Sequence, residues 1–380
     1  MKVLHVITGL AAGGAERQLL LTLRHLPRHH CEVATLTNPG TVATALRAEG
    51  FTVYDLAMRG NRDLAVLPRL TGLIRRGGYD VVHTHLYRAM LYGRLAARLA
   101  GVGAVVATEH SLHAGTIEGR PVTAGVRALY LAAERLGSTT IAVSGQVAAT
   151  LADWGVPAGR VRVLPNGIDA AHYALPTASR AAVRQTVRSE LGLPQRAYVV
   201  GAVGRLVPGK RFSVLVEALA GLPPERDPRL LLVGEGPERA ALEARARRLG
   251  VADRLLCTGE RDDVRDLLTA MDVLAAPSVE ETFGLAVLEG LAAGLPVRHS
   301  ACPALDELPT EAAPDARKVP SDPASYLAAL AAPVPRRSPE QSPPPAVAHY
   351  DIARTAAELA DLYQRLGRGA RPVPAGPRES

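Results

Sequence analysis

Lysine is nearly missing from this chain: of 44 basic residues only Lys2, Lys210 and Lys318 are lysine. A lysine in mid-chain therefore asks for a reason beyond general basicity. Cysteine is scarce as well. Cys31, Cys257 and Cys302 are odd in number and far apart, which excludes a disulfide framework or a cysteine metal site and fits a reducing cytoplasm. Aromatic residues make up only 4%, so the core must be built from Ala, Leu and Val. No apolar run approaches the ~20 residues needed to span a bilayer. The start, MKVLHVITGL, reads as a first buried strand rather than a secretory leader, because His5 and Thr8 interrupt its apolar run and a helical pattern follows at once.

What is present is a chain of 380 residues, 47% hydrophobic, long enough for two domains of fewer than about 200 residues each. Short strand-like runs alternate with helix-length segments. In the first half these are residues 2–8, 31–37, 51–56, 80–85, 104–110, 139–144 and 161–165. The rhythm breaks at the turn-rich LPNGIDAAHYALP and restarts with 197–204, 229–234, 254–259, 272–277 and 296–300. Strand-helix alternation of this kind predicts doubly wound, mostly parallel sheets. Two such sheets joined by a hinge follow, with a cleft between them as the default ligand site. Residues 1–170 are expected to form one domain, completed by a helix at 350–366, and 171–348 the other. The proline-rich 333–347 is read as neither helix nor central strand, and 367–380 as a disordered tail. Charge is uneven: residues 1–170 hold 18 Lys plus Arg against 11 Asp plus Glu, whereas the remainder balances. A basic half suits nucleic acid, an anionic membrane, an acidic substrate, or simply a solvated Arg-rich surface.

The stretch GRLVPGKRF, Gly204 to Phe212, has the G-x-x-x-x-G-K spacing of a phosphate-cradling P-loop behind a strand-like run. Arg211, however, stands where that motif needs Ser or Thr for magnesium. A second reading keeps the phosphate and drops the metal: Arg205 and Lys210, on a strand-to-helix loop, neutralise a diphosphate directly. The segment PSVEETFGLAVLEGLAAGLPV, Pro277 to Val297, favours the second reading. On one straight helix Glu281 and Glu289 would point roughly 80° apart. With Gly284 at a helix start, Glu281 lies on the incoming loop and Glu289 about one turn inside, so both can face one cleft. The amides of Gly284, Leu285 and Ala286 would then be open to an anion. Carboxylates beside a diphosphate are suited to gripping sugar hydroxyls.

With these motifs in their order, the chain resembles a retaining glycosyltransferase of family 4, of GT-B fold: an α/β architecture of two Rossmann-like, doubly wound parallel-sheet domains facing each other across a cleft. The resemblance covers about residues 1–310. Its most specific parts are Glu281 to Glu289 with GLAAGLPV, and Arg205 to Lys210. GGAE (Gly13 to Glu16), DVVHTH (Asp80 to His85), TEHS (Thr108 to Ser111), AVS (Ala142 to Ser144), VLPNGID (Val163 to Asp169) and GEGPE (Gly234 to Glu238) support it. The resemblance implies that Arg205 and Lys210 bind the donor diphosphate and stabilise its departure, with no cofactor and no metal required. It implies that Glu281 contacts the donor sugar, that Phe283, Gly284 and Leu285 hold sugar and phosphate by their backbone, and that Glu289 binds the ribose. His110 would lie beside the donor sugar, and Gly14 would let the first loop approach the diphosphate. The implied partners are a nucleotide-sugar donor such as a UDP-sugar and an acceptor on the first domain. Its positive surplus favours a lipid-linked or cell-surface glycan precursor, at the cytoplasmic face of an anionic membrane, over nucleic acid; a natural-product acceptor competes.

Plainer readings stand beside these. His110 alone would be a core histidine at a strand end, Glu289 a solvated helix residue, and Glu16 a first-turn helix residue. Arg88, Arg94 and Arg98 share a helical segment and face either an acceptor or water. His83 and His85, two apart on a strand, are read as pointing to different faces, which argues against a metal pair. After GLPV the family commonly has paired glycines before a glutamate, whereas RHSACPALDEL, residues 298–308, has Pro303 and offers Glu307 as the equivalent acid. A non-catalytic nucleotide-binding protein and a P-loop hydrolase are the alternatives of another class.

Overall fold

The computed structural model describes residues 1–11, 13–60, 63–333 and 342–370. The chain groups into two compact units, one of residues 1–167 with 352 onward, the other of 168–351. In the first, seven strands pair in parallel: β1 Lys2–Ile7, β2 His30–Thr35, β3 Val53–Asp55, β4 Val81–His85, β5 Ala104–Glu109, β8 Thr139–Ala142 and β9 Val161–Val163. A hairpin of β6 Thr116–Ile117 and β7 Arg120–Pro121 lies between β5 and β8 in sequence. The sheet order is β3-β2-β1-β4-β5-β8-β9. β4 and β5 are buried at every position, as expected when helices cover both faces of a parallel sheet and its strands lose their polar alternation.

The helix Ile352–Ala370 returns to this first sheet. Ala356, Leu359 and Tyr363 recur at helical spacing, and with Leu362 they join Val3, Ile7, Val33 and Val106 in one buried cluster. The stripe explains why a segment from the far end of the chain belongs to the first unit.

The second unit holds β10 Tyr198–Val203, β11 Pro228–Val233, β12 Leu255–Cys257, β13 Val273–Ala276, β14 Val297–His299 and β15 Ala316–Lys318, ordered β12-β11-β10-β13-β14-β15 and all parallel. Leu230, Leu231 and Leu232 are all buried, as a central parallel strand requires. Arg188, fully buried, ties this unit together: its guanidinium meets Asp272 at 2.7 Å and the carbonyls of Ala270 and Gln195 at 2.9 and 2.8 Å. In each sheet the winding direction reverses beside a central strand, between β1 and β4 and between β10 and β13. Ligands of open α/β sheets bind at the carboxyl ends of the strands flanking such a reversal.

All twelve strand-like runs are strands. β15 and the β6–β7 hairpin were not expected: Ala-Arg-Lys carries no apolar run, and two-residue strands leave no periodicity to read. The proline-rich stretch needs correction, since Pro345–His349 is a short helix; proline at the first helical position lacks only an amide that would have had no partner. Residues 334–341 of that stretch lie outside the described residues. The last helix continues to Ala370, four residues into the expected tail, and 371–380 lie outside the described residues. No helix among the described residues is long and apolar enough to cross a membrane.

Candidate active site

The second unit brings most of the expected donor residues to the carboxyl ends of β10 and β13. After β10 the chain turns through Gly204 and exposed Arg205 into the short 3-10 turn Pro208–Lys210. After β13 it passes Val279, Glu280 and Glu281 to the helix Leu285–Ala292. The two loops are laced together: the Val279 amide donates to the Gly209 carbonyl at 3.3 Å, and Lys210 Nζ lies 2.5 Å from Glu281 Oε1. Both side chains of this ion pair are partly covered, 26% exposed for Lys210 and 16% for Glu281. The lysine and the first glutamate of the motif, 71 residues apart in sequence, are direct partners.

Gly234, opening GEGPE, explains how a third loop joins. A Cβ there would sit 2.0 Å from the Gly204 carbonyl oxygen, so only glycine lets the loop after β11 run against the loop after β10. The Gly204 amide donates to the Val233 carbonyl at 2.9 Å, and the Leu206 amide to the Glu235 carbonyl at 3.0 Å.

Gly284 is the N-cap of the helix and has φ +104, a left-handed conformation that an L side chain rarely adopts. A Cβ on it would lie 2.5 Å from Cys302 Sγ. Among the described residues the amides of Gly284, Leu285 and Ala286 donate to no other group, so they form an open helix N-terminus with its partial positive charge. Phe283 is buried with its ring edge-on to Tyr350 at 5.0 Å, and its carbonyl accepts from the Ala304 amide at 3.0 Å. That amide belongs to the short helix Pro303–Asp306, so the 298–308 loop, the departure from the family pattern, packs directly on the motif; Glu307 is exposed at its end. Glu289, the fifth residue of the longer helix, is half-buried. Cys302 was not singled out as a site residue; burial pushes its thiol up to about 12, so it serves packing rather than nucleophilic chemistry.

The remaining expected residues lie in the first unit. Gly14 is the exposed first residue of the helix Gly14–Arg24, and Glu16 is in its first turn. His110 is buried immediately after β5. It stands in a cluster that the sequence did not reveal. His110 Nε2 lies 3.1 Å from His85 Nδ1, and His85 Nε2 lies 3.1 Å from His5 Nδ1. His83 is held by Tyr363 Oη at 2.6 Å and Thr108 Oγ1 at 2.7 Å. His83 and His85 therefore point to one face of β4, correcting the expectation that they part: a strand repeats every two residues, so i and i+2 share a face. Gln18, Thr22, Thr108, His83, His85 and His110 line a cavity of about 30 Å³ there, room for a water or two. Burial lowers His110 to about 4, and burial followed by the neighbouring rings sets His83 and His85 well below the ordinary imidazole value, so these rings are neutral near pH 7. Arg94 faces neither acceptor nor water: it is fully buried and donates to Thr140 Oγ1 at 2.8 Å. Arg98 is spent on the Leu136 and Gly103 carbonyls at 2.6 and 3.2 Å.

Two parallel-sheet Rossmann-like units, with a Lys–Glu pair, a nearby arginine and an open helix N-terminus at the winding reversal of the second, define the GT-B class of glycosyltransferases. Residues 12–172 match the family described as Glycosyltransferase Family 4, and residues 197–332 match the Glycosyl transferases group 1 family. The chain belongs to the family-4 glycosyltransferases of GT-B fold. It is 28% identical, over 78% of each chain, to the UDP-Gal:alpha-D-GlcNAc-diphosphoundecaprenol alpha-1,3-galactosyltransferase of Escherichia coli. It is 33% identical to the D-inositol 3-phosphate glycosyltransferase of Salinispora arenicola over 58% of this chain, a match that spans about half (53%) of that relative. Among solved structures, HepE of Anabaena in complex with UDP and glucose superposes with a TM-score of 0.81, covering 96% of this chain and 100% of that one at 21% identity, a likeness of fold.

Proposed function

We propose that this protein transfers a sugar from a nucleotide-diphosphate donor to an acceptor hydroxyl with retention of anomeric configuration and without a catalytic metal. The observation that carries the reading is the Lys210–Glu281 pair beside the open N-terminus of Leu285–Ala292. A diphosphate placed there meets the ammonium of Lys210, the exposed guanidinium of Arg205 and the helix amides, charge that a magnesium ion would otherwise supply. Lys210 then turns from Glu281 to the phosphate, and the released carboxylate accepts hydrogen bonds from the sugar hydroxyls. Glu289 takes the ribose hydroxyls, and the backbone of Phe283, Gly284 and Leu285 holds sugar and phosphate.

Chemistry on such a donor breaks the bond between the anomeric carbon and the diphosphate oxygen. The acceptor oxygen bonds to that carbon on the same face, and its proton passes to the departing phosphate. Stabilising the growing negative charge of the diphosphate is the main work of the protein, with His110 beside the donor sugar and Gly14 letting the first loop close on the phosphates. The E. coli relative's name supports a UDP-sugar donor and a diphosphate-linked lipid acceptor. The surplus of 18 Lys plus Arg over 11 Asp plus Glu in residues 1–170 supports an anionic acceptor approached at the cytoplasmic face of a membrane. The test is a panel of UDP-, GDP- and ADP-sugars with slow donor hydrolysis as readout, which needs no acceptor. At least one donor should be cleaved, Lys210→Ala should nearly abolish the cleavage, and the released sugar should keep its anomeric configuration when followed by NMR at early times. Unchanged turnover in Lys210→Ala would remove the basis of the reading.

A further inference from the structure

His5, His83 and His85 each have a ring nitrogen within 4.8 Å of the others. Three imidazoles so close invite a metal, but both nitrogens of His83 and both of His85 already have hydrogen-bond partners. The cluster is a hydrogen-bond chain, and such a chain has a direction. Each neutral imidazole carries one ring proton, so each link can be made in only one sense once one end is fixed.

The end that fixes it is His5. Its Nε2 is fully buried and has no hydrogen-bond partner among the described residues. A buried N–H without a partner is rarer than an under-used acceptor, so Nε2 is the bare nitrogen and the His5 proton sits on Nδ1. His5 Nδ1–H then donates across 3.1 Å to His85 Nε2. His85 is thereby protonated on Nδ1 and donates across 3.1 Å to His110 Nε2. His110, its Nε2 occupied as an acceptor, carries its proton on Nδ1.

We propose that His5 and His85 set the tautomer of His110, so that His110 enters the reaction as an Nδ1–H hydrogen-bond donor and not as a base, with His85 as its positioning residue. This rests on the reading of His110 as a residue of the transfer site. The chain lies on β1, β4 and the end of β5, adjacent parallel strands whose register sets His5 beside His83 and His85 beside Thr108, so the sheet itself holds the rings in place. Stacking adds to this: His85 is nearly parallel to His5 at 5.4 Å and to His110 at 5.4 Å. A donor N–H suits a sugar hydroxyl oxygen or the oxygen that gains charge as the diphosphate leaves.

The experiment is ring-¹⁵N correlation NMR on the full chain labelled at histidine, with the His110 signals assigned by their loss in His110→Gln. In the wild type His110 should be protonated at Nδ1. In His85→Leu, which removes the donor to Nε2, His110 should shift toward the Nε2–H form, and kcat for donor cleavage should fall by about tenfold or more while the donor KM changes by less than about threefold. His85→Gln, whose carboxamide can both donate and accept, should recover part of the rate. A wild-type His110 protonated at Nε2 overturns the proposal, and that spectrum needs no variant to fold. A tautomer that does not respond to His85→Leu overturns it too, as does a tautomer shift with unchanged kcat. If His110 shows the expected tautomer and response but no donor of the panel is cleaved, the transferase reading fails while the directed chain stands.

Discussion

Replacing Glu281 with glutamine separates two roles that the structure gives to one carboxylate. In the free protein Glu281 Oε1 holds Lys210 Nζ at 2.5 Å. Binding of a nucleoside diphosphate must draw that ammonium away. The pair is part-exposed, so releasing it costs about 1 kcal/mol, the upper range for surface ion pairs. Glu281→Gln keeps the shape, removes the competing charge and should tighten UDP binding by about fivefold. The same change weakens hydrogen bonds from the sugar hydroxyls to a charged acceptor, a loss of about 2 kcal/mol, or roughly thirtyfold in kcat/KM for the UDP-sugar. Calorimetry with UDP and steady-state cleavage of the donor that the panel identifies measure the two separately. The opposite signs are the diagnostic feature. If UDP binding and donor use fall together by similar factors, Glu281 serves the nucleotide or the fold, and its assignment to the sugar is wrong.

Gly284→Ala should destabilise the protein by about 2–4 kcal/mol, combining the strain of a left-handed alanine with the collision of its Cβ against Cys302 Sγ. Adding Cys302→Ala should restore only the collision part in a urea titration; full restoration would mean that the backbone conformation costs nothing. Stability should also fall steeply as the medium is acidified below pH 6.5. His5, His83, His85 and His110 are neutral when folded, with His5 held at about 3 and His110 at about 4 by burial, whereas the unfolded chain takes up protons near 6.5. The unfolded state thus binds more protons in acid, and the stability present above 6.5 is lost on the way down, roughly 3 kcal/mol from His110 alone. Glu109 works the other way, since burial raises it to about 7 and its ionisation penalises the fold as pH rises from about 4.5 toward 7. Urea midpoints from pH 7.5 to 5 should therefore drop in the wild type and drop less in His85→Gln; parallel curves would contradict the buried neutral cluster.

Much of the fold is written in local patterns. Apolar runs such as VVHTH and LLLV mark buried parallel strands, and the break after Pro165 marks the restart. β15 escapes because Ala316, Arg317 and Lys318 gain their strand character from pairing with β14, a tertiary cause with no local trace. In the site, Gly284 and the two glutamates are legible because a helix start imposes its own chemistry. The contact between Lys210 and Glu281 is not, since it depends on two loops meeting across neighbouring strands. The histidine chain is hidden for the same reason: DVVHTH and TEHS each look like ordinary strand ends, and only the parallel register of β1, β4 and β5 brings their rings together. Cys302 acquires its meaning from the missing Cβ of Gly284, a close approach that no single segment displays.

The central claim is a diphosphate site that uses protein cations where a P-loop uses magnesium. Calorimetry of the full chain with UDP, GDP, ADP and ATP, each with magnesium and with EDTA, tests it most directly. The account predicts that one nucleoside diphosphate binds with the same affinity in both conditions, and that Lys210→Ala weakens it by an order of magnitude or more, as expected for about 1.5–3 kcal/mol in a charge-assisted contact. Binding confined to the magnesium complex of ATP would contradict it and return Gly204 to Lys210 to the triphosphatase reading.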